Sequence, residues 1–295
     1  MRRLLVCTIV RDALPHLDTW WHQLAELTKL VAGEYDVTLS VAENDSVDGS
    51  AGWLRLQYDR WGDWHANWGP LLDGFHLSTQ TLGTQRYPSI WSVDRLRNLA
   101  TARQQCLDQV PDLAAFDKVA YVEVDCTWDA RWCQELVLAR HPLAAGLGEP
   151  DIYSGWSLRP LSNPKESVFL YDTCATRATK DDTCWDVTEQ CGRWRGATVI
   201  PTDLGGPDSM CLHPVWSTFS CFCVYNAEPF KRGVRWDYLN PRLDTGQPRY
   251  GRAGPDLQQH IEGWLDSDTS VLCEAFRARG YDKVYLNTNC LVRHS

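Results

Sequence analysis

The chain has 295 residues and a net charge of −9, with 44% hydrophobic and 23% charged residues. That balance belongs to a globular protein, and no run approaches the roughly 20 apolar residues of a membrane-spanning helix. The acidic excess excludes a surface built throughout for nucleic acid.

The first predicted element is a buried strand over 3–10, where Leu4, Leu5, Val6, Ile9 and Val10 make a short apolar run. This run is too short for a signal peptide, and Arg11-Asp12 follows with no small-residue cleavage site. The expected location is therefore cytoplasmic. Leu14, Leu17, Trp21, Leu24 and Leu27 recur at helical steps, and Gly33 sits at the stop. Residues 35–42 are β-rich and run into Glu43-Asn-Asp-Ser-Val-Asp-Gly-Ser50, a turn where Ser46 or Asp48 is placed to cap the next helix. Trp53, Trp61, Trp64 and Trp68 read as local core or as a stacking platform for sugars.

A long helix is predicted over 90–110, decorated by Arg95, Arg97, Asn98 and Arg103. Asp117 to Asp125 reads as the next buried strand, and Asp129 to Arg140 as a helix. Beyond 141 the pattern turns irregular. Strand-like runs return at 168–171 and 215–225, a helix at 269–279 and a last strand at 283–287. No repeat or clean linker divides the chain. It reads as a single domain over 1–295, with a nucleotide-binding half, 1–140, and an acceptor-binding half, 141–295.

Strand, helix, strand and polar loop begin a parallel, doubly wound sheet, whose ligands lie beyond the carboxyl ends of the strands. That rule puts Thr8 to Arg11, Glu43 to Asp48 and Glu123 to Asp125 on one edge. Glu123-Val-Asp125 ends an apolar run in two carboxylates, and a second apolar run ends in His294. Carboxylates with an imidazole suit Mn²⁺ (or Mg²⁺) bridging a diphosphate. Asp125 is the first metal ligand in this reading, Glu123 contacts metal or ribose, and His294 is a second ligand. Thr8, Glu43 and Asp45 line the strand ends expected to hold base and ribose. Arg11 and Arg97 suit the diphosphate or base, because guanidinium forks match phosphate. The plainer alternative makes these side chains caps and surface groups.

Twelve cysteines include no Cys-x-x-Cys pair, and Cys221-Phe-Cys223 lies in an apolar run that reads as core. Cys174, Cys184, Cys191 and Cys211 occupy a polar segment where one or two disulfides would fit. Residues 231–252 carry six basic residues against Asp237 and Asp244, a solvated loop or a contact for an anionic acceptor.

Six blocks in order resemble the fungal capsule-associated (cryptococcal-type) α-1,3-mannosyltransferase family: the turn 43–50, Asp94-Arg-Leu-Arg-Asn-Leu-Ala100, the strand 117–125, Tyr171-Asp-Thr-Cys-Ala-Thr-Arg177, the segment 220–230 and Asp266-Ser-Asp-Thr-Ser-Val-Leu-Cys273. The resemblance implies a single-domain A-type glycosyltransferase, a Rossmann-like nucleotide-diphospho-sugar fold with a mostly parallel central sheet. It implies a sugar nucleotide donor, GDP-mannose foremost, a divalent metal, and transfer of a hexose with retention onto a glycan or other hydroxyl acceptor. In that frame Asp268 is the carboxylate near the anomeric carbon, with helix capping as its bland alternative, and Asp172 holds sugar hydroxyls. The chain departs from the family at Ala178, which stands where an acid is usual, and at Phe222-Cys-Val224, which replaces Trp-Asn-Gly. Two other readings stay open: a non-catalytic carbohydrate-binding protein, and a transferase using a UDP-sugar on a non-glycan acceptor such as modified DNA.

Overall fold

The computed structural model describes residues 1–61, 70–83, 93–139, 148–159, 169–170, 176, 212–240, 264–265 and 267–294. Three parallel strands open the sheet: β1 (Arg2–Val10), β2 (Tyr35–Asn44) and β3 (Gly74–Gln80). β4 (Lys118–Val122) joins the far side of β1, also in parallel. The later strands are β5 (Cys126–Trp128), β6 (Ile152–Arg159), β7 (Phe169–Leu170), β8 (Leu212–Pro214), β9 (Phe222–Asn226), the small pair β10 (Leu239–Asn240) and β11 (Trp264–Leu265), and β12 (Val284–His294). The main sheet runs β3-β2-β1-β4-β9-β6-β12-β5, with β7 on β6 and β8 on β12. β9 is antiparallel to both β4 and β6, whereas β12 is parallel to β6. The class is thus mixed α/β with most paired positions parallel, as the sequence pattern predicts.

Helices α1 (Leu14–Val31), α2 (Ser50–Arg60) and α4 (Ala130–Leu138) belong to one side, with α3 (Val93–Asp108), α5 (Glu228–Lys231) and α6 (Asp268–Arg277) on the other. The two-residue strand period does the sorting. Leu4 and Val6 of β1 and Ala120 and Val122 of β4 pack in the core shared with Leu17, Trp20 and Leu24 of α1 and Cys133 and Leu136 of α4. Leu5, Cys7, Val119 and Tyr121 face the other core, with Ala100 and Cys106 of α3 and Leu272 and Phe276 of α6. Leu17, Leu24 and Leu27 are almost fully buried, and each contributes about 1.5–3 kcal/mol over an exposed position.

Trp53 packs edge-on to Trp21 at 5.8 Å and donates Nε1–H to Asp18 at 3.0 Å. Trp61 rests partly buried on the same core. These two tryptophans are core residues; Trp64 and Trp68 lie outside the described residues. Among the described residues no helix is long and apolar enough to cross a membrane, and the eight described cysteines are free thiols. Cys174, Cys184, Cys191 and Cys211 fall outside them.

Two predicted strands are corrected. The strand expected over 117–125 ends at Val122, so Glu123 and Asp125 sit in the connection to β5. There the Glu123 N–H donates to the Cys221 carbonyl at 2.8 Å. The run 215–225 is no single strand: β9 starts at Phe222, because Cys221 turns the backbone with φ 58°.

Candidate active site

Strand order reverses beside β1, with β2 on one side and β4 on the other. A doubly wound sheet leaves a crevice outside such a switch point. A cavity of about 380 Å³ opens there, lined by Ile9 to Ala13, His16, Asn44, Arg95, Asn98, Leu99, Ala102 and Glu123 to Asp125. Glu123, Asp125 and Arg11 therefore line one cavity. A larger groove of about 840 Å³ lies by Lys29, Thr127, Asp129 and Trp132, and neither Glu123 nor Asp125 lines it.

The wall formed by α1 is held by the 43–50 turn. The Asp12 N–H donates to Ser46 Oγ at 3.0 Å, the Ala13 N–H to Ser50 Oγ at 3.0 Å, and the Leu14 N–H to Asp48 Oδ2 at 2.8 Å. Asp12 returns the contact by accepting from the Val47 N–H at 2.8 Å. The sequence offers Ser46 or Asp48 as the cap of α2, but the N-cap is Gly49 at φ 98° with no side-chain bond. Asp48 accepts from the Ser50 N–H at 3.0 Å, and Asp48 and Ser46 chiefly serve the backbone donors of Leu14 and Asp12 at the approach to α1. Glu43, 4% exposed, closes the turn by accepting from the Ser46 N–H at 3.0 Å. Asp45 stands at φ 55° and accepts from the Gly83 N–H at 3.1 Å. Thr8, also buried, donates to the Val122 carbonyl at 2.6 Å, tying β1 to β4 just before Glu123. Thr8, Glu43 and Asp45 thus shape the strand ends and do not line the cavity.

The opposite wall is built around Arg103, which the sequence reading treated as a helix decoration. Arg103 is 5% exposed. Its guanidinium pairs with Asp268 through Nη1 and with Glu123 Oε1 through Nη2 at 3.2 Å. The same group stacks on the Phe219 and Trp236 rings, 4.5 and 5.1 Å from their centroids. Burial works to lower its pKa, but the two carboxylates outweigh burial and raise it, so Arg103 is a fixed cation. The Tyr121 hydroxyl donates to the Arg103 carbonyl at 2.7 Å and accepts from Trp236 Nε1–H at 2.8 Å. Asp268 is the first residue of α6, after the N-cap Ser267. It is 3% exposed and absent from the cavity lining. Its place is an ion pair; the capping position belongs to its neighbour.

Arg97 points elsewhere. Its guanidinium donates to the Tyr238 hydroxyl at 3.1 Å and pairs with Asp94 at 3.0 Å. The α3 face on the cavity is Arg95, Asn98, Leu99 and Ala102. At 3.6 residues per turn, position 97 lies about 200° round from 95. The steps of three and four from 95 to 102 were the signal for this face.

The hydrogen bond with Cys221 lowers the Cys126 thiol, but burial and the carboxylates of Glu123 and Asp125 push it up to about 11. In register, His294 of β12 pairs with Cys126 of β5, one residue from Asp125, so the last strand does return to the acid-x-acid segment. Asp172 falls outside the described residues. In the basic stretch, Lys231 and Arg232 pair with Glu228 at 3.8 and 2.8 Å, and Arg235 with Asp108 at 2.7 Å. Arg242, Arg249 and Arg252 are not among the described residues.

No protein-family model matches the sequence, and no curated protein matches it. Among solved structures the chain is similar to S. aureus TarS 1–349, with 10% identity and a TM-score of 0.46 over 100% of this chain and 60% of that one. It is similar to GalNAc-T7 with UDP, GalNAc and Mn²⁺, with 10% identity and a TM-score of 0.49 over 99% of this chain and 42% of that one. Glucosyl-3-phosphoglycerate synthase from Mycobacterium tuberculosis, in complex with Mn²⁺, UDP-glucose and phosphoglyceric acid, gives 13% identity and a TM-score of 0.42 over 100% of this chain and 72% of that one. No fungal capsule mannosyltransferase is among these neighbours, and the chain spans 60% and 42% of the first two.

Proposed function

We propose that the protein is a metal-dependent glycosyltransferase that moves a hexose from a sugar nucleotide to a hydroxyl acceptor. One observation carries this reading: the cavity at the switch point has Glu123 and Asp125 on its wall, with Arg11 and Arg95 lining it too. Carboxylates and guanidinium groups around one crevice suit a cation and a diphosphate together. The hard oxygen donors of Glu123 and Asp125 fit Mn²⁺ or Mg²⁺, and the register of His294 beside Cys126 supports a third ligand from the last strand. When bound, the metal supplies Lewis-acid neutralisation of the departing nucleotide diphosphate.

The chain's own residues orient the donor. Arg11 and Arg95 hold the diphosphate, and Asn98 and Asn44 offer hydrogen bonds to base or ribose. Asp268 positions Glu123 through Arg103, a role that suits its burial and ion pair better than contact with the sugar does. GDP-mannose is the donor implied by the sequence resemblance, and glycans are the acceptor class. A UDP-sugar is the second donor to test.

The test is a thermal-shift panel of GDP-mannose, UDP-glucose and UDP-N-acetylglucosamine, with and without Mn²⁺. A ligand that binds only the folded chain raises the melting temperature. One series should shift it in a Mn²⁺-dependent way, and Asp125→Ala should lose that part while melting normally without ligand. Loss of the metal's several kcal/mol of charge stabilisation should also cut nucleoside-diphosphate release by about a hundredfold or more. Equal Mn²⁺-dependent shifts in both proteins would overturn the assignment. Binding without turnover of any donor would favour the carbohydrate-binding reading.

A further inference from the structure

Directly behind the cavity wall, three side chains from two segments converge. Ligand atoms of Glu123, Cys126 and Cys221 all lie within 4.8 Å of one another. Among the described residues no other group of three such side chains comes together in this way. We propose that Cys126, Cys221 and Glu123 form a binding site for one thiophilic divalent cation of the Zn²⁺ class. This goes beyond the sugar-nucleotide reading; the two sites share the Glu123 carboxylate, so the ions would compete for it, and the two sulfurs are what set this site apart.

The spacing suits the ion. Metal–sulfur bonds of about 2.3 Å put two thiolates on one tetrahedral centre about 3.8 Å apart, with carboxylate oxygens at about 2.0–2.2 Å. Donors already within 4.8 Å need only small side-chain rotations to close on it. The chemistry selects as well: two soft sulfurs and one carboxylate favour Zn²⁺ or Cd²⁺ over the hard cations that suit oxygen ligands. Asp125 offers a further oxygen, its Oδ1 being 3.8 Å from Cys126 Sγ.

The backbone holds the donors in place. Cys221 has φ 58°, a left-handed conformation that a residue with a Cβ seldom adopts, and such strain gathers at functional sites. Its carbonyl is fixed by the Glu123 N–H at 2.8 Å. Cys126 is held in β5 by pairing with β12. Arg103 donates to Glu123 Oε1 at 3.2 Å, the kind of outer contact that orients a ligating carboxylate. Binding displaces two thiol protons to solvent, leaving two thiolates, one carboxylate and a dication, a net −1 next to the Arg103–Asp268 ion pair. The two thiols are closed to water at 2% and 0% exposure, while Glu123 lines the cavity and provides the way in. The buried Cys133–Cys290 pair, with sulfurs 3.8 Å apart, is in no such three-residue group.

The experiment titrates the metal-free, reduced full chain with Cd²⁺ alone and follows the ultraviolet thiolate-to-cadmium band and proton release. One ion per chain should bind with release of two protons. Cys126→Ser and Cys221→Ser should each abolish the tight phase, Glu123→Gln should weaken it by more than the roughly 10- to 100-fold typical of losing an outer contact, and Cys133→Ser should leave it intact. Cadmium NMR on the unsubstituted chain avoids any folding defect in the variants. A resonance of a two-sulfur, oxygen-containing site supports the proposal. Only four-sulfur sites, no tight site, or a band that survives in both Cys126→Ser and Cys221→Ser would overturn it.

Discussion

On one side of the cavity, the 43–50 turn reaches the start of α1 through hydrogen bonds that span 34 to 37 residues and run from backbone N–H groups to short polar side chains. On the other, Arg103 joins a carboxylate 20 residues away to one 165 residues away in a site almost closed to water. The first wall is many small contacts, from the buried Ala13–Ser50 bond to the exposed Leu14–Asp48 one. The second is one buried cation whose removal leaves charge stranded. The two should therefore fail differently, the first by degrees and the second in one step.

Arg103→Met should show the largest effect. It leaves Asp268 buried without its counter-ion, which typically costs about 3–5 kcal/mol. Urea unfolding should give a lower midpoint at unchanged slope. Adding Asp268→Leu should recover most of that loss, because an apolar replacement for a buried pair is often neutral. If the double variant is no more stable than the single one, the wall is held by packing on Phe219 and Trp236, and the contrast with the other wall disappears.

The same contrast decides what could be read from sequence. The turn 43–50 announces itself in composition, and the strand ends Thr8 to Arg11 and Glu43 follow from local patterns of period two and 3.6. In the parallel half of the sheet β1, β2 and β4 are legible for the same reason, whereas β3 (Gly74–Gln80) has no such signal. Arg103 is not legible either, because a charged residue on a predicted helix is ordinarily solvated and its partners come from distant segments. Charge alone does not separate Arg95 from Arg97; helix phase does, placing 95 with 98, 99 and 102 on the cavity face. Cys221 read as core, and it is core by burial. What sequence lacked was the antiparallel pairing of β9 with β4, which carries that thiol to the acid-x-acid segment.

Tyr121→Phe sharpens the comparison at intermediate size. The Tyr121 hydroxyl bridges the Trp236 indole N–H and the Arg103 carbonyl inside the core. Its loss leaves the buried Trp236 N–H unpaired and removes a second bond from the Arg103 carbonyl, which keeps its place in the α3 helical ladder, at about 1–3 kcal/mol. Combining it with Trp236→Phe should cost less than the two losses added, because the second change removes a group the first had orphaned. Strict additivity in urea unfolding would show that the three groups do not act as one support.

The smallest effect belongs to the turn. Asp48→Ala removes acceptors from the Leu14 and Ser50 N–H groups, a capping loss of about 1 kcal/mol. The Asp48 side chain is half-buried. Desolvation is the largest single influence and raises its pKa, but the bonds from Ser50 and Leu14 together outweigh it and hold the carboxyl below its ordinary 3.8. A depressed carboxylate contributes stability that is fully present above the unfolded-chain value and lost as pH falls through the lower folded one. The gap between the natural chain and Asp48→Ala should accordingly hold from neutrality to about pH 4 and narrow below it. Thermal unfolding at stepped pH reads this directly. A gap unchanged in acid would mean that the charge on Asp48 does not tie the turn to α1, and that the geometry of the turn alone sets where the helix begins.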